Sequence, residues 1–152
     1  MPKNILIVED DPDMVELLRL ALSGEDYNIY AAVNGLEGLT KARVCPPDLV
    51  LLDLLLPELN GFDVCERLRS NPATAFIPII MITGLPGELP RVAGVEAGAD
   101  LYIRKPLDIP DLVSRVREML DPTPARRHAA RDSQNMGAEG FSQKFLELGR
   151  AS

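Results

Sequence analysis

The chain has 152 residues, 46% of them hydrophobic and 26% charged, with a formal net charge of −7 and a pI near 4.7. That length supports one domain of ordinary size with its own core, and the acidity argues against a nucleic-acid surface, which is normally basic. No apolar run is long enough to cross a membrane, the N-terminus lacks a signal-peptide layout, and Cys45 and Cys65 sit apart without metal-ligand spacing, as expected of reduced thiols in a cytoplasmic protein.

Strand-like and helix-like segments alternate along the chain. Ile5–Val8 is a continuous aliphatic run that ends in Glu9, Asp10 and Asp11. Pro12 then opens a helix, where its missing N–H does no harm, and Val15, Leu18 and Leu22 recur at helical spacing. Tyr27–Ala32 reads as a second strand, and Gly35–Val44 as a helix stopped by Pro46 and Pro47. Asp48–Leu52 is the third strand and delivers Asp53 to its C-terminal end. Gly61–Leu68 is the next helix, and Ile77–Ile82 the fourth strand. A helix from about Arg91 to Glu96 ends at Gly98, its beginning made irregular by Pro86 and Pro90. Leu101–Ile103 is a short fifth strand, and Ile109–Leu120 a helix that opens at Pro110.

Five strands alternating with five helices predict an α/β, doubly wound, flavodoxin-like (βα)5 fold. Its parallel sheet would run in the order 2-1-3-4-5 with helices on both faces. The domain is expected over residues 1–121 and a linker-like tail over 122–152. In the tail, Phe141, Phe145 and Leu148 are spaced to share one face of a short helix at 139–149. From Asp121 onward there are five Lys/Arg and four Asp/Glu, leaving 11 and 19 before it, a net of −8; the acidity belongs to the domain.

Burying an unpaired charge is costly, so an acid at the end of a buried strand calls for a partner. In doubly wound sheets, ligands bind beyond the C-terminal strand ends where the strand order reverses. The first and third strands flank that point, and both end in acids. Glu9, Asp10 and Asp53 should converge there, and three close carboxylates repel unless a cation sits among them. Mg²⁺, a small oxygen-seeking ion, fits that donor set, and Mn²⁺ could substitute. Thr83 follows the fourth strand and Lys105 the fifth, on the same rim. A hydroxyl and an ammonium beside these acids describe a receptor for a phosphoryl group, with Asp53 as its nucleophile.

These residues carry a family resemblance. The runs Ile5-Leu6-Ile7-Val8-Glu9-Asp10-Asp11, Leu51-Leu52-Asp53, Leu56-Pro57-Glu58-Leu59-Asn60-Gly61, Ile82-Thr83-Gly84, Gly98-Ala99-Asp100 and Lys105-Pro106 cover residues 4 to 120 in order. Together they resemble the receiver domain of bacterial two-component response regulators. The resemblance implies that Asp53 is the phosphoacceptor and that Asp10 ligates Mg²⁺ directly. Glu9 would act on the metal through water, and the backbone carbonyl of Leu55 would be the third protein ligand. Thr83 and Tyr102 match the switch pair, in which the ring moves inward as the hydroxyl turns to the phosphate. Lys105-Pro106 matches a peptide that is usually cis.

The implied donor is a sensor histidine kinase or histidine phosphotransfer protein. The implied readout is the face formed by the fourth helix, fifth strand and fifth helix, acting on a downstream protein or a missing output domain. The same face is a candidate for pairing two copies. Direct nucleic-acid binding is not expected of the 152 residues, since no helix-turn-helix fits after Leu120. A phosphatase-type enzyme would want a second acid two residues after the nucleophile, where this chain has Leu55. Leu55 and Leu85 flank the phosphoryl position and cannot orient an attacking water, so a long-lived acyl phosphate is expected. His128, alone in a basic linker, is not a donor candidate.

Overall fold

The computed structural model describes residues 2–121. Within them the order is β1 (Lys3–Val8), α1 (Pro12–Leu22), β2 (Tyr27–Ala32), α2 (Gly35–Val44), β3 (Leu49–Asp53), α3 (Gly61–Ser70), β4 (Ile79–Thr83), α4 (Glu88–Ala97), β5 (Leu101–Arg104) and α5 (Ile109–Leu120). The strands form one parallel sheet, as the alternation predicts, in the flavodoxin-like order β2-β1-β3-β4-β5. The expected tail helix at 139–149 lies outside the described residues.

Every residue of β3 and β4 is buried, as are the last four of β1. A central parallel strand is covered on both faces, so it reads as an unbroken apolar run. Alternate side chains of these strands point to opposite layers. Ile5, Ile7, Leu49, Leu51, Ile80 and Ile82 pack with Leu18 and Leu22 of α1 and Leu112, Val116 and Leu120 of α5. Leu6, Val8, Val50, Leu52, Ile79 and Met81 pack with α2, α3 and Ala97 of α4. Full burial of one such side chain contributes ~1.5–3 kcal/mol.

Four of the helices start on a side-chain cap. Asp11, Asn34, Asn60 and Asp108 each accept a hydrogen bond from an N–H of the first helical turn. The fourth helix differs from its expected span and begins at Glu88, three residues before Arg91. Pro90 stands in the first turn, where an N–H would have no intrahelical partner, so it does not delay the helix. The start has no side-chain cap: Gly87 holds φ at +92° there, and Gly98 ends the helix at φ +113°. The fourth strand begins at Ile79 rather than Ile77, because the Ile77 N–H is already committed to the Thr74 carbonyl in the preceding turn.

Arg69, at the end of α3, ties three segments together. Its guanidinium donates to the carbonyls of Ala75, Ile77 and Gly98 and to the Asp100 carboxylate, at 2.6–3.0 Å. Asp100 in turn accepts from the Ile79 N–H that opens β4. Removing the guanidinium takes the charged donor from three carbonyls and from a largely buried carboxylate. Arg69→Ala is therefore expected to destabilise the domain by about 3 kcal/mol in urea unfolding, with an unchanged m-value. A loss below about 1 kcal/mol would mean that water replaces the guanidinium freely.

Candidate functional site

The sheet register brings the acids together. Val8 pairs with Leu52, so Glu9 and Asp53 leave the sheet side by side at its C-terminal edge. Ile82 pairs with Asp53 across β3 and β4, and Thr83 pairs with Arg104 across β4 and β5. Thr83 and Lys105 therefore complete the same rim, and the Lys105 N–H donates to the Thr83 carbonyl at 2.7 Å. The Lys105–Pro106 peptide is cis.

Glu9 and Asp53 are buried, at 3% and 5% exposure, while Asp10 is exposed. Each of the three offers a carboxylate oxygen within 4.8 Å of the other two. The Lys105 Nζ lies 3.7 Å from Glu9 and 3.6 Å from Asp53. Burial, then the Asp53 charge, pushes the Glu9 carboxyl up from 4.5 to about 7, against the opposing pull of Lys105 and the Asp11 N–H. Burial also raises Asp53, while Lys105 and the Leu55 N–H favour its ionised form. One ammonium thus does not balance the buried pair, and a cation among the three oxygens would.

Asp11 has a different task from its two neighbours. Its side chain caps α1 through the Asp13 N–H at 3.0 Å, and its own N–H donates to Glu9 Oε1 at 3.2 Å. Gly61, expected from sequence to open a helix and to belong to a motif, brings the start of α3 against Asp53. A Cβ there would stand 2.6 Å from the Asp53 carbonyl oxygen and 2.7 Å from Leu54 Cα, so any larger residue would displace the β3 end. Spacing alone gives no signal for that close approach.

Thr83 is fully buried, and its Oγ1 accepts from the Leu85 N–H at 3.1 Å. Tyr102 of β5 is half-buried, and its hydroxyl is enclosed without a properly directed hydrogen bond. Burial raises its pKa, while the Thr83 hydroxyl is near enough to pull the other way. An enclosed hydroxyl without a partner costs ~1–3 kcal/mol. Leu55 is 57% exposed, and Leu85 is half-buried.

Residues 5–117 match the response regulator receiver domain. The chain belongs to that family. It is 40% identical over 134 residues to the DNA-binding dual master transcriptional regulator RpaA of Synechocystis sp., covering 88% of this chain and 55% of that protein. It is 43% identical over 120 residues to the DNA-binding response regulator MtrA of Mycolicibacterium smegmatis, covering 79% and 51%. The chain thus spans about half the length of these curated relatives. Among solved structures it is similar to a CheY-like response regulator receiver domain protein from Methanospirillum hungatei (TM-score 0.73, 30% identity, covering 90% of this chain and 99% of that one). It is also similar to the signal receiver domain of a signal transduction histidine kinase from Syntrophus aciditrophicus (TM-score 0.74, 34% identity, covering 80% and 92%). No helix among the described residues is long and apolar enough to cross a membrane.

Receiver domains bind Mg²⁺ at an acidic pocket, and the cluster of Glu9, Asp10 and Asp53 suits that ion in donor type and charge. A carboxyl whose pKa rises on folding stabilises the fold below its ordinary value of 4.5, and that contribution is lost as pH rises through the folded value of about 7. Relative to Glu9→Gln, the metal-free wild type is expected to lose melting temperature between about pH 5 and about pH 8. Mg²⁺ should restore it most at the alkaline end, where both acids are ionised. Melting curves with Mg²⁺ or EDTA read this; a wild type that gains on Glu9→Gln toward alkaline pH would contradict it.

Proposed function

We propose that this receiver domain is the phosphoacceptor of a two-component phosphorelay. Asp53 takes a phosphoryl group from a phosphohistidine of a sensor histidine kinase or histidine phosphotransfer protein. The observation that carries this reading is the buried Asp53 carboxylate 3.6 Å from the Lys105 ammonium, beside two further acids.

In the transfer, an Asp53 carboxylate oxygen bonds to phosphorus as the bond from phosphorus to the donor imidazole breaks. The electron pair of the broken bond stays on the imidazole nitrogen. Burial strips Asp53 of most of its water, which strengthens each nearby charge. Lys105 meets the negative charge of the phosphoryl oxygens. The Thr83 oxygen accepts from the Leu85 N–H, which leaves its hydrogen to donate to a phosphoryl oxygen. Asp10, Asp53 and the Leu55 carbonyl would hold Mg²⁺, or Mn²⁺ in its place, with Glu9 reaching it through water. When bound, the ion supplies charge neutralisation and orientation at the phosphoryl group. The chain turns over no second substrate in this reading; it modifies itself.

A phosphoryl group adds about −1.5 to −2 charges at neutral pH, enough to bias a two-state element. Thr83 and Tyr102 form that element. The output surface is α4, β5 and α5, acting on a downstream protein or an output domain outside this sequence, with a homodimer through the same face. The site of action is the cytoplasm.

Incubation with Mg²⁺ and acetyl phosphate is expected to add the mass of one phosphoryl group, and Asp53→Asn to abolish the gain. No gain in the wild type would leave a receiver fold that binds partners without phosphorylation. Leu55 and Leu85 offer no group to orient water, so the acyl phosphate should last minutes or longer without a phosphatase. A half-life of seconds, followed by mass spectrometry, would contradict this.

A further inference from the structure

Gly94 sits mid-helix in α4 and is buried. A Cβ built on it would stand 3.0 Å from Tyr102 Cδ2, 3.4 Å from Tyr102 Cε2 and 3.1 Å from Met81 Sδ. The face of α4 here is bare backbone, and the tyrosine ring lies directly against it. Met81 is paired with Tyr102 across β4 and β5, and Thr83 follows two residues later on the same layer of the sheet. The ring is thus seated between α4 and β4, with its hydroxyl enclosed and Thr83 nearby.

We infer that Gly94 is a positioning residue for the switch: the missing side chain at Gly94 makes the seat that lets the Tyr102 ring lie inward beside Thr83. This rests on reading Thr83 and Tyr102 as the switch pair. Two opposed effects act on the ring. Apolar contact with Met81 and the Gly94 backbone favours the seat, whereas the enclosed hydroxyl, cut off from water, disfavours it. A change at either end tips the balance. Of the two neighbours that a Cβ would meet, the Met81 thioether can turn aside because it is unbranched. The ring is rigid, and at 3.0 Å from the added Cβ it must give by a few tenths of an ångström, which weakens its hold on the seat.

Gly94 also stands where an ordinary helix would gain from alanine, since glycine is a poor interior residue. The start of the helix also lacks a side-chain cap. In the absence of the ring, Gly94→Ala should therefore stabilise the protein. In its presence, the substitution should drive the ring outward.

The test uses the full chain with 3-fluorotyrosine at its three tyrosines, the Tyr102 resonance being assigned with Tyr102→Phe. Gly94→Ala is expected to move the Tyr102 fluorine signal to a solvent-exposed shift with a larger solvent isotope effect. Asp53 should still gain a phosphoryl group from acetyl phosphate. In the Tyr102→Leu background, Gly94→Ala is expected to raise the melting temperature, and in the wild-type background it is not. A Tyr102 signal that stays buried in Gly94→Ala, or an equal rise in melting temperature in both backgrounds, overturns the inference. If Gly94→Ala does not fold, folding of Gly94→Ala/Tyr102→Leu supports it and failure of both variants overturns it. A wild type that takes no phosphoryl group overturns the proposed function instead, while the fluorine measurement still decides the seat.

Discussion

Two carboxylates, Glu9 and Asp53, are held side by side in a nearly dry position with one ammonium 3.7 and 3.6 Å away. Two like charges about 4 Å apart repel by roughly 4 kcal/mol at an effective dielectric near 20, so this pair separates unless the backbone prevents it. The backbone does prevent it. Glu9 and Asp53 end adjacent parallel strands whose register is set by apolar residues buried on both faces. A slip of one residue would move those side chains to the opposite layer. The hydrophobic core is therefore what confines the charge, at ~1.5–3 kcal/mol for each fully buried aliphatic side chain. The confined charge sets the chemistry of the rim, because it favours a proton, an ammonium or a metal ion at one place.

The rest of the rim follows from how the remaining strands end. Lys105 faces the acids because β5 is paired beside β4 and the Lys105 N–H is committed to the Thr83 carbonyl. The start of α3 lies under Asp53 because Gly61 has no side chain to hold it off. At the opposite end of the sheet, Arg69 and Asp100 join the end of α3 to the starts of β4 and β5. These contacts hold the framework, whereas the seat of Tyr102 is bounded by a helix that starts without a side-chain cap and carries a glycine, Gly94, in its interior.

Much of this was legible in the sequence because it depends on local pattern. The bounds of β2, α2 and α5 agree with expectation, since apolar periodicity and prolines mark them plainly. With the flavodoxin-like strand order, the acids ending the first and third strands and the residues ending the fourth and fifth place Glu9, Asp10, Asp53, Thr83 and Lys105 on one rim. Asp10 and Asp11 are alike in type; the resemblance singles out Asp10, and the path of the chain shows that Asp11 caps α1 while Asp10 joins the cluster. The first turn of α4 is hidden in the sequence because Pro90 has the look of an obstacle, although it occupies a position that needs no donor.

Residue order alone determined which strands are central, which carry acids and which rim those acids share, because buried parallel strands must be apolar and their ends are the only places for charge. It also determined the family, through short motifs in sequence order. The tertiary structure alone decided how deeply Glu9 and Asp53 are buried, that Arg69 is a hub, and that Gly61 and Gly94 admit the Asp53 backbone and the Tyr102 ring. Those facts depend on distances between segments far apart in the chain. A missing side chain carries no signal until the neighbour that fills its space is known.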